Sequence, residues 1–168
     1  VNPYATIAEL CQAKNMKVGV VSSVSIDHAT PACFYAHQPE RGNYWEIANE
    51  LSLSDFDYFA GGGPKGQRSK YWPAGATDPV QRAIDRGYTV VRTKAELAAV
   101  TPGTKTFAYG NDVYTEGANP TDKSYSMPYE LDRQSCNNSL ADYTAEGIRL
   151  LDNENGFFLM VEGGKIDW

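Results

Sequence analysis

A chain of 168 residues is long enough for one domain with a proper core, and 42% hydrophobic against 21% charged residues is ordinary globular composition. A net charge of −6 and a pI of about 4.9 argue against a duplex nucleic acid partner, whose phosphates want a basic face. No apolar run approaches the ~20 residues needed to span a bilayer, and three cysteines without a C-x-x-C spacing argue against a structural zinc site of the usual kind. A small phosphorylated ligand stays open, because one arginine or one metal in a cleft outweighs the global charge locally.

In chain order, Thr6 to Lys14 reads as a helix with Thr6 as N-cap and Glu9 at the capping-box spacing. Val18 to Ser22 reads as a buried strand. Pro31 to His37 starts a second helix, with Thr30 at the N-cap and Pro31 in the first turn, and Tyr44 to Leu53 forms a third. Phe56 to Ala60 is the next strand and runs into Gly61-Gly62-Gly63. Pro79 to Arg86 is a helix closed by Gly87, Tyr88 to Arg92 a strand, Lys94 to Val100 a short helix and Lys105 to Tyr109 a strand. Leu140 to Asn153 is a long helix closed by Gly156, and Phe157 to Val161 is the most apolar strand. Cys11 and Cys33 sit in apolar helical contexts and are expected to be buried thiols, and an odd cysteine count leaves at least one free.

Strands alternating with helices imply an α/β fold, a mostly parallel sheet of about five strands with helices on both faces. Residues 62–77 and 110–138, rich in Gly, Pro, Asn, Ser and Tyr, break that rhythm and are expected to form long loops over one edge of the sheet. Open α/β sheets gather chemistry at the carboxyl ends of their strands. The polar residues there are Asp27, His28 and Thr30 after the first strand, the glycine triplet after the second, and Glu162 and Asp167 after the last.

Each of these residues has a bland reading beside its functional one. Glu162 at the end of a buried central strand needs a partner, either a nearby Lys or Arg or a metal or catalytic role. Thr30 before Pro31 is explained by capping alone. His28 fits a polar loop residue and Arg41 a solvated arginine, and His37, on a helix body, suits packing or hydrogen bonding better than ligation. Gly61-Gly62-Gly63-Pro64-Lys65-Gly66 does not match the P-loop spacing, and Pro64 removes a backbone donor that a phosphate loop needs.

Read together, the residues say more. HATPACFYAHQPER at 28–41 and FFLMVEGGKIDW at 157–168 resemble the alkaline phosphatase family, with its (D/H)-A-T-P-A, its A-H pair, its phosphate-binding arginine at the same offset and its V-E-G-x-x-I-D. The glycine triplet, MPYELDR at Met127 to Arg133 and the S-L-A-D-Y-T helix start at Ser139 are similar to the same family, in the same order. The resemblance covers nearly the whole chain. It implies part of that family's three-layer sandwich, residues 1–168 being one partial domain, and a parent that hydrolyses phosphate monoesters with zinc (Zn2+), magnesium (Mg2+) and a serine nucleophile. Thr30 and Glu162 match its magnesium ligands and Asp167 a zinc ligand. Arg41 matches the catalytic, phosphate-binding arginine. His28, Trp168 and His37 stand in supporting positions behind these groups. His28 and Trp168 stand where enterobacterial members have Asp and Lys, a difference that leaves the reaction class intact and the identity of the third metal open. The resemblance further implies a homodimeric, periplasmic or secreted parent acting on a phosphate monoester or binding inorganic phosphate, with no nucleic acid partner and no membrane span.

Two features of the pattern are missing. No serine here directly follows an aspartate, so the family's nucleophile motif is not in this sequence, and its only histidines, His28 and His37, match no zinc ligand. The expectation is an internal segment of an alkaline phosphatase, inactive alone, with a free-standing non-catalytic binding domain on the same scaffold as the alternative. If Thr30 and Glu162 share one ion, the strands before them must be neighbours.

Overall fold

The computed structural model describes residues 3–67, 72–110 and 125–168. Five parallel strands form one sheet: β1 (Lys17–Ser25), β2 (Tyr58–Gly62), β3 (Thr89–Val91), β4 (Thr106–Tyr109) and β5 (Phe157–Glu162), in the order β3-β4-β2-β1-β5. The helices are α1 (Ile7–Gln12), α2 (Ala29–Ala32), α3 (Tyr44–Leu53), α4 (Pro79–Asp85), α5 (Lys94–Ala98) and α6 (Leu140–Leu151). This is an α/β fold, with the strand-and-helix alternation of the sequence turned into parallel crossovers. Local chemistry sets the helix starts. Thr6 with Glu9, Thr93 with Glu96 and Ser139 with Asp142 close reciprocal capping boxes, and Asp78 caps α4 ahead of Pro79. Gly87 ends α4 at φ +90°, a conformation that suits glycine.

The period-two alternation of the strands divides the core into two layers. Val18, Val20, Phe59 and Phe107 pack with Ala8, Ala32, Ile47, Leu51 and Ala83 of α1 to α4. Val21, Tyr58, Ala60, Val91 and Ala108 pack on the other face with Leu97 of α5 and Tyr143, Leu150 and Leu151 of α6. β5, expected to be central, is an edge strand among the described residues, and Phe157 to Met160 are only half-buried.

The structure corrects the sequence reading at several points. The second helix is a single turn, Ala29–Ala32, and its N-cap is His28, so Thr30 lies inside the turn and caps nothing. It ends there because the N–H groups of Phe34 and Tyr35 bond only three residues back, to Pro31 O and Ala32 O, and beyond it Glu50 of α3 takes the His37 backbone N–H at 2.6 Å and bonds the Gln38 amide as well. Cys33 is exposed and Cys11 half-buried, and all three cysteines are free thiols. β1 is longer than VGVVS because its register slips between Ser22 and Ser25, a bulge that carries it past the point where apolar alternation ends. Gly61 and Gly62 belong to β2 and lie against that bulge. A Cβ on Gly61, whose φ is +114°, would stand 2.0 Å from the Ser22 carbonyl oxygen, and one on Gly62 would stand 1.9 Å from that of Val24.

Both long segments lie partly outside the described residues. Of 62–77, residues 68–71 lie outside the described residues, and Lys65–Gln67 form a 3-10 turn. Of 110–138, residues 111–124 lie outside them. Tyr125 to Met127 are buried across the carboxyl ends of the central strands, with Gly63 N–H donating to Tyr125 O at 2.9 Å and Met127 N–H to Ser23 O at 2.9 Å.

Candidate active site

β1 and β5 are parallel neighbours, and Ser22 lies opposite Glu162 in their register. The two motifs, some 130 residues apart, therefore leave the sheet side by side at its carboxyl edge, where ligands of open α/β sheets bind. After Ser25 the chain turns at once, His28 N–H donating to Ser25 O at 2.8 Å. Inside the turn Asp27 is 0% exposed, and its two oxygens accept the backbone N–H groups of Lys65 at 3.0 Å and Gly66 at 2.6 Å. Burial pushes its carboxyl up to about 6 against the pull of those donors.

His28 stands at the centre of the cluster. Arg41 Nη2 lies 3.1 Å from its Nε2, and Trp168 meets its ring edge-on at 6.0 Å between centroids. A guanidinium only donates, so Nε2 accepts and the ring proton sits on Nδ1. Desolvation chiefly, then the charges of Arg41 and Lys65, hold the His28 pKa below its ordinary 6.5, against the opposing charges of Glu162 and Asp167. The imidazole is therefore neutral at pH 7, and it fixes the arginine's side chain without competing for an anion. A cleft of about 120 Å³, floored by Ala29, Ala32, Cys33, Ala36 and Ile47, opens beside Arg41.

Of the residues singled out in the sequence, Arg41 and Trp168 meet His28 directly, Glu162 and Asp167 bear on it through their charge, and exposed Thr30 stands two residues further along the same turn. His37 has other partners: Nε2 lies 2.9 Å from Glu9 Oε1 and its N–H is held by Glu50, so it ties the segment after α2 to α1 and α3. Sequence reasoning named Asp27 only as a polar residue past a strand, and it missed Ser22, whose buried hydroxyl donates to Glu162 Oε2 at 2.5 Å. The one signal for Ser22 is a hydroxyl at the end of an apolar strand.

The donor chemistry favours a hard cation. Thr30, Glu162 and Asp167 offer oxygen, which suits magnesium. Zinc is also served by nitrogen, yet the Nε2 atoms of both histidines are engaged, one with Arg41 and one with Glu9. Among the described residues no three His, Cys, Asp or Glu side chains group closely enough to hold a metal by themselves. By residue type, these oxygen donors suit a hard cation such as magnesium and do not complete its shell.

Comparison with known proteins gives the family. The sequence model of the alkaline phosphatase family matches residues 1–168. The chain is 31% identical over 170 residues to alkaline phosphatase 4 of Bacillus subtilis (strain 168), covering 97% of this chain and 33% of that protein. It is 26% identical over 196 residues to the alkaline phosphatase of Gadus morhua, covering 99% of this chain and 40% of the relative. Among solved structures, the cold-active alkaline phosphatase of a psychrophilic Shewanella superposes with a TM-score of 0.78 at 30% identity, over 99% of this chain and 37% of that one. A variant of the alkaline phosphatase from TAB5, determined with Mg bound, gives 0.72 at 31% identity, over 96% and 42%. The chain spans about a third to two-fifths of the length of these relatives. With both motifs meeting at one sheet edge and the match running from end to end, the chain belongs to the alkaline phosphatase family.

Proposed function

We propose that this chain is the segment of a metal-dependent phosphomonoester hydrolase that contributes the phosphate-binding arginine and part of the metal shell. The observation that carries this reading is the cluster of His28, Arg41 and Glu162 where β1 and β5 end together. Arg41 grips two oxygens of a phosphate monoester, or of the inorganic phosphate it becomes, and its planar fork suits that bidentate task. Neutral His28 accepts one N–H of Arg41 and so orients the rest of the fork. Trp168 meets the imidazole edge-on and adds to its surroundings. Thr30 and Glu162 hold magnesium, and Asp167 holds one zinc ion. When bound, these metals neutralise phosphoryl charge and make an attacking oxygen nucleophilic at neutral pH. The relative determined with Mg bound, a variant with glutamate in place of a histidine, supports metal dependence. We further propose, from the resemblance of the motifs to the family, a whole protein that is a homodimer acting in the periplasm or outside the cell.

No serine in the chain follows an aspartate, and two oxygen ligands cannot satisfy an octahedral ion without further donors. Residues that act as one unit are not partly dispensable. The isolated chain is therefore expected to show no turnover of p-nitrophenyl phosphate with zinc and magnesium present. Metal-dependent turnover that disappears in Arg41→Ala would overturn that expectation.

A further inference from the structure

We infer that Ser22 is a positioning residue for Glu162: its hydroxyl holds one carboxylate oxygen inside the sheet, so that the other alone faces a cation. The inference rests on the reading of Glu162 as a metal ligand and adds to it the group that aims the ligand and the number of oxygens it presents.

Ser22 is 0% exposed, which removes it as a nucleophile and leaves its hydroxyl to internal partners. There are two. Val24 N–H donates to Ser22 Oγ at 3.2 Å, and Oγ lies 2.5 Å from Glu162 Oε2. The carboxylate has no proton to give, and one lone pair of Oγ already serves Val24, so the hydroxyl proton points at Oε2. That separation falls in the short range of O–H···O⁻ bonds, roughly 2.5–2.7 Å. Among the described residues this is the sole hydrogen bond of the Glu162 side chain, so Oε1 is the oxygen left over.

The backbone around the pair is built for this contact. Ser22 is the last residue of β1 in plain register, paired with Gly61 on one side and Glu162 on the other, before the bulge that ends at Ser25. A bulge re-aims the side chains beside it, and here the Val24 N–H turns back onto the Ser22 hydroxyl. On the β5 side, a Cβ on Gly164 would come within 2.9 Å of both Val24 methyl carbons and 3.0 Å of Glu162 Cδ. The glycine thus leaves room for the carboxylate to lie over the bulge. Between Ser22, Val24 and Gly164 the glutamate has one resting place. An outer partner that fixes a metal ligand typically matters by about 10–100-fold in metal affinity.

The test compares the wild-type chain with Ser22→Ala, Ser22→Thr and Ser22→Val, each checked for a dispersed amide spectrum. Thr keeps the hydroxyl, and Val has nearly the same shape without it in a strand already rich in valine. The first readout needs no metal: three-bond couplings of the Glu162 side chain report whether it occupies one rotamer. One rotamer is expected in wild type and Ser22→Thr, with averaging in Ser22→Val and Ser22→Ala. If Ser22→Ala does not fold, Ser22→Val decides the matter. A single Glu162 rotamer without the hydroxyl overturns the inference. The second readout is broadening of the Gly163 amide by titrated Mn2+, with the midpoint expected about tenfold higher in Ser22→Val than in Ser22→Thr. Equal midpoints also overturn the inference. No broadening at Gly163 in wild type overturns the presentation of Oε1 to a cation by this chain, and the couplings then still decide whether Ser22 fixes the Glu162 rotamer.

Discussion

Asp27 just beyond β1 and Glu162 at the end of β5 stand at the same edge of the sheet, on neighbouring strands, and their surroundings differ in almost every respect. Asp27 is 0% exposed, and both its oxygens are taken by the backbone N–H groups of Lys65 and Gly66. Glu162 is half-buried and has one oxygen on the Ser22 hydroxyl. The first carboxylate is used up in joining the turn after β1 to the 3-10 turn after β2, whereas the second keeps an oxygen to offer. A carboxylate at a strand end becomes a site when its coordination is left incomplete, and the strand position alone does not decide that.

The comparison breaks most readily at Asp27. Asp27→Ala strands two buried N–H donors, each costing roughly 1–3 kcal/mol, so a loss on the order of 4 kcal/mol is expected in urea unfolding. A loss below about 1 kcal/mol would mean that the two turns do not depend on the carboxylate for their junction. Next is pH. Burial raises Asp27 from its ordinary 3.8 to about 6, so the folded chain holds this proton more tightly than the unfolded chain. Its contribution to stability is fully present below about 3.8 and is lost as pH rises through about 6, a change on the order of 2–3 kcal/mol. Unfolding followed from pH 4 to pH 7 in wild type and Asp27→Asn checks this: the decline should flatten in the variant, and an equal decline in both would assign it elsewhere.

The site side of the comparison predicts effects on ligands rather than on folding. In an enzyme carrying this segment, Arg41→Ala should weaken phosphate inhibition at least tenfold, each charge-assisted bond contributing about 1.5–3 kcal/mol, with the melting temperature nearly unchanged. Parental inhibition and kcat/KM in the variant would remove Arg41 from phosphate binding. The smallest expected effect is the stability change in Glu162→Ala, about 1–2 kcal/mol, because one buried hydroxyl donor is stranded where Asp27→Ala strands two N–H groups. A change matching that of Asp27→Ala would place both carboxylates in the same structural role.

Much of the fold was legible because its signals are local. The Thr6–Glu9 capping box lies within four residues, as do the Thr93–Glu96 and Ser139–Asp142 boxes that the structure adds, and Pro79 and Gly87 punctuate α4 at both ends. The failures lie where a distant group intervenes. Nothing near His37 announces that Glu50 will take its N–H once the chain has tightened into three-residue turns after Ala32. The β1 bulge depends on glycines of another strand, so apolar alternation stops at Ser22 although the strand continues. In the site, the residue types of both motifs were readable, and hard oxygen donors around an arginine point to phosphate chemistry without coordinates. What the chain order hid was adjacency: β5 is last in sequence and pairs with β1, the first. Ser22 was hidden for the same reason, since a serine's role here is defined by a partner 140 residues away.

The way Gly61 and Gly62 lie on the β1 bulge limits how this segment can vary over generations. The atoms that a new Cβ would strike, at 2.0 and 1.9 Å, are backbone carbonyl oxygens of Ser22 and Val24, not side chains that could be exchanged in turn. No compensating substitution in β1 can make room, because every residue type there brings the same carbonyl. Mutational tolerance at this pair should therefore be close to nil, and a library scanned across 56–66 should recover only glycine at 61 and 62. The flanking Tyr58 and Ala60, whose neighbours are side chains of α5, α6 and the adjoining strands, have a route to paired replacement that the two glycines lack.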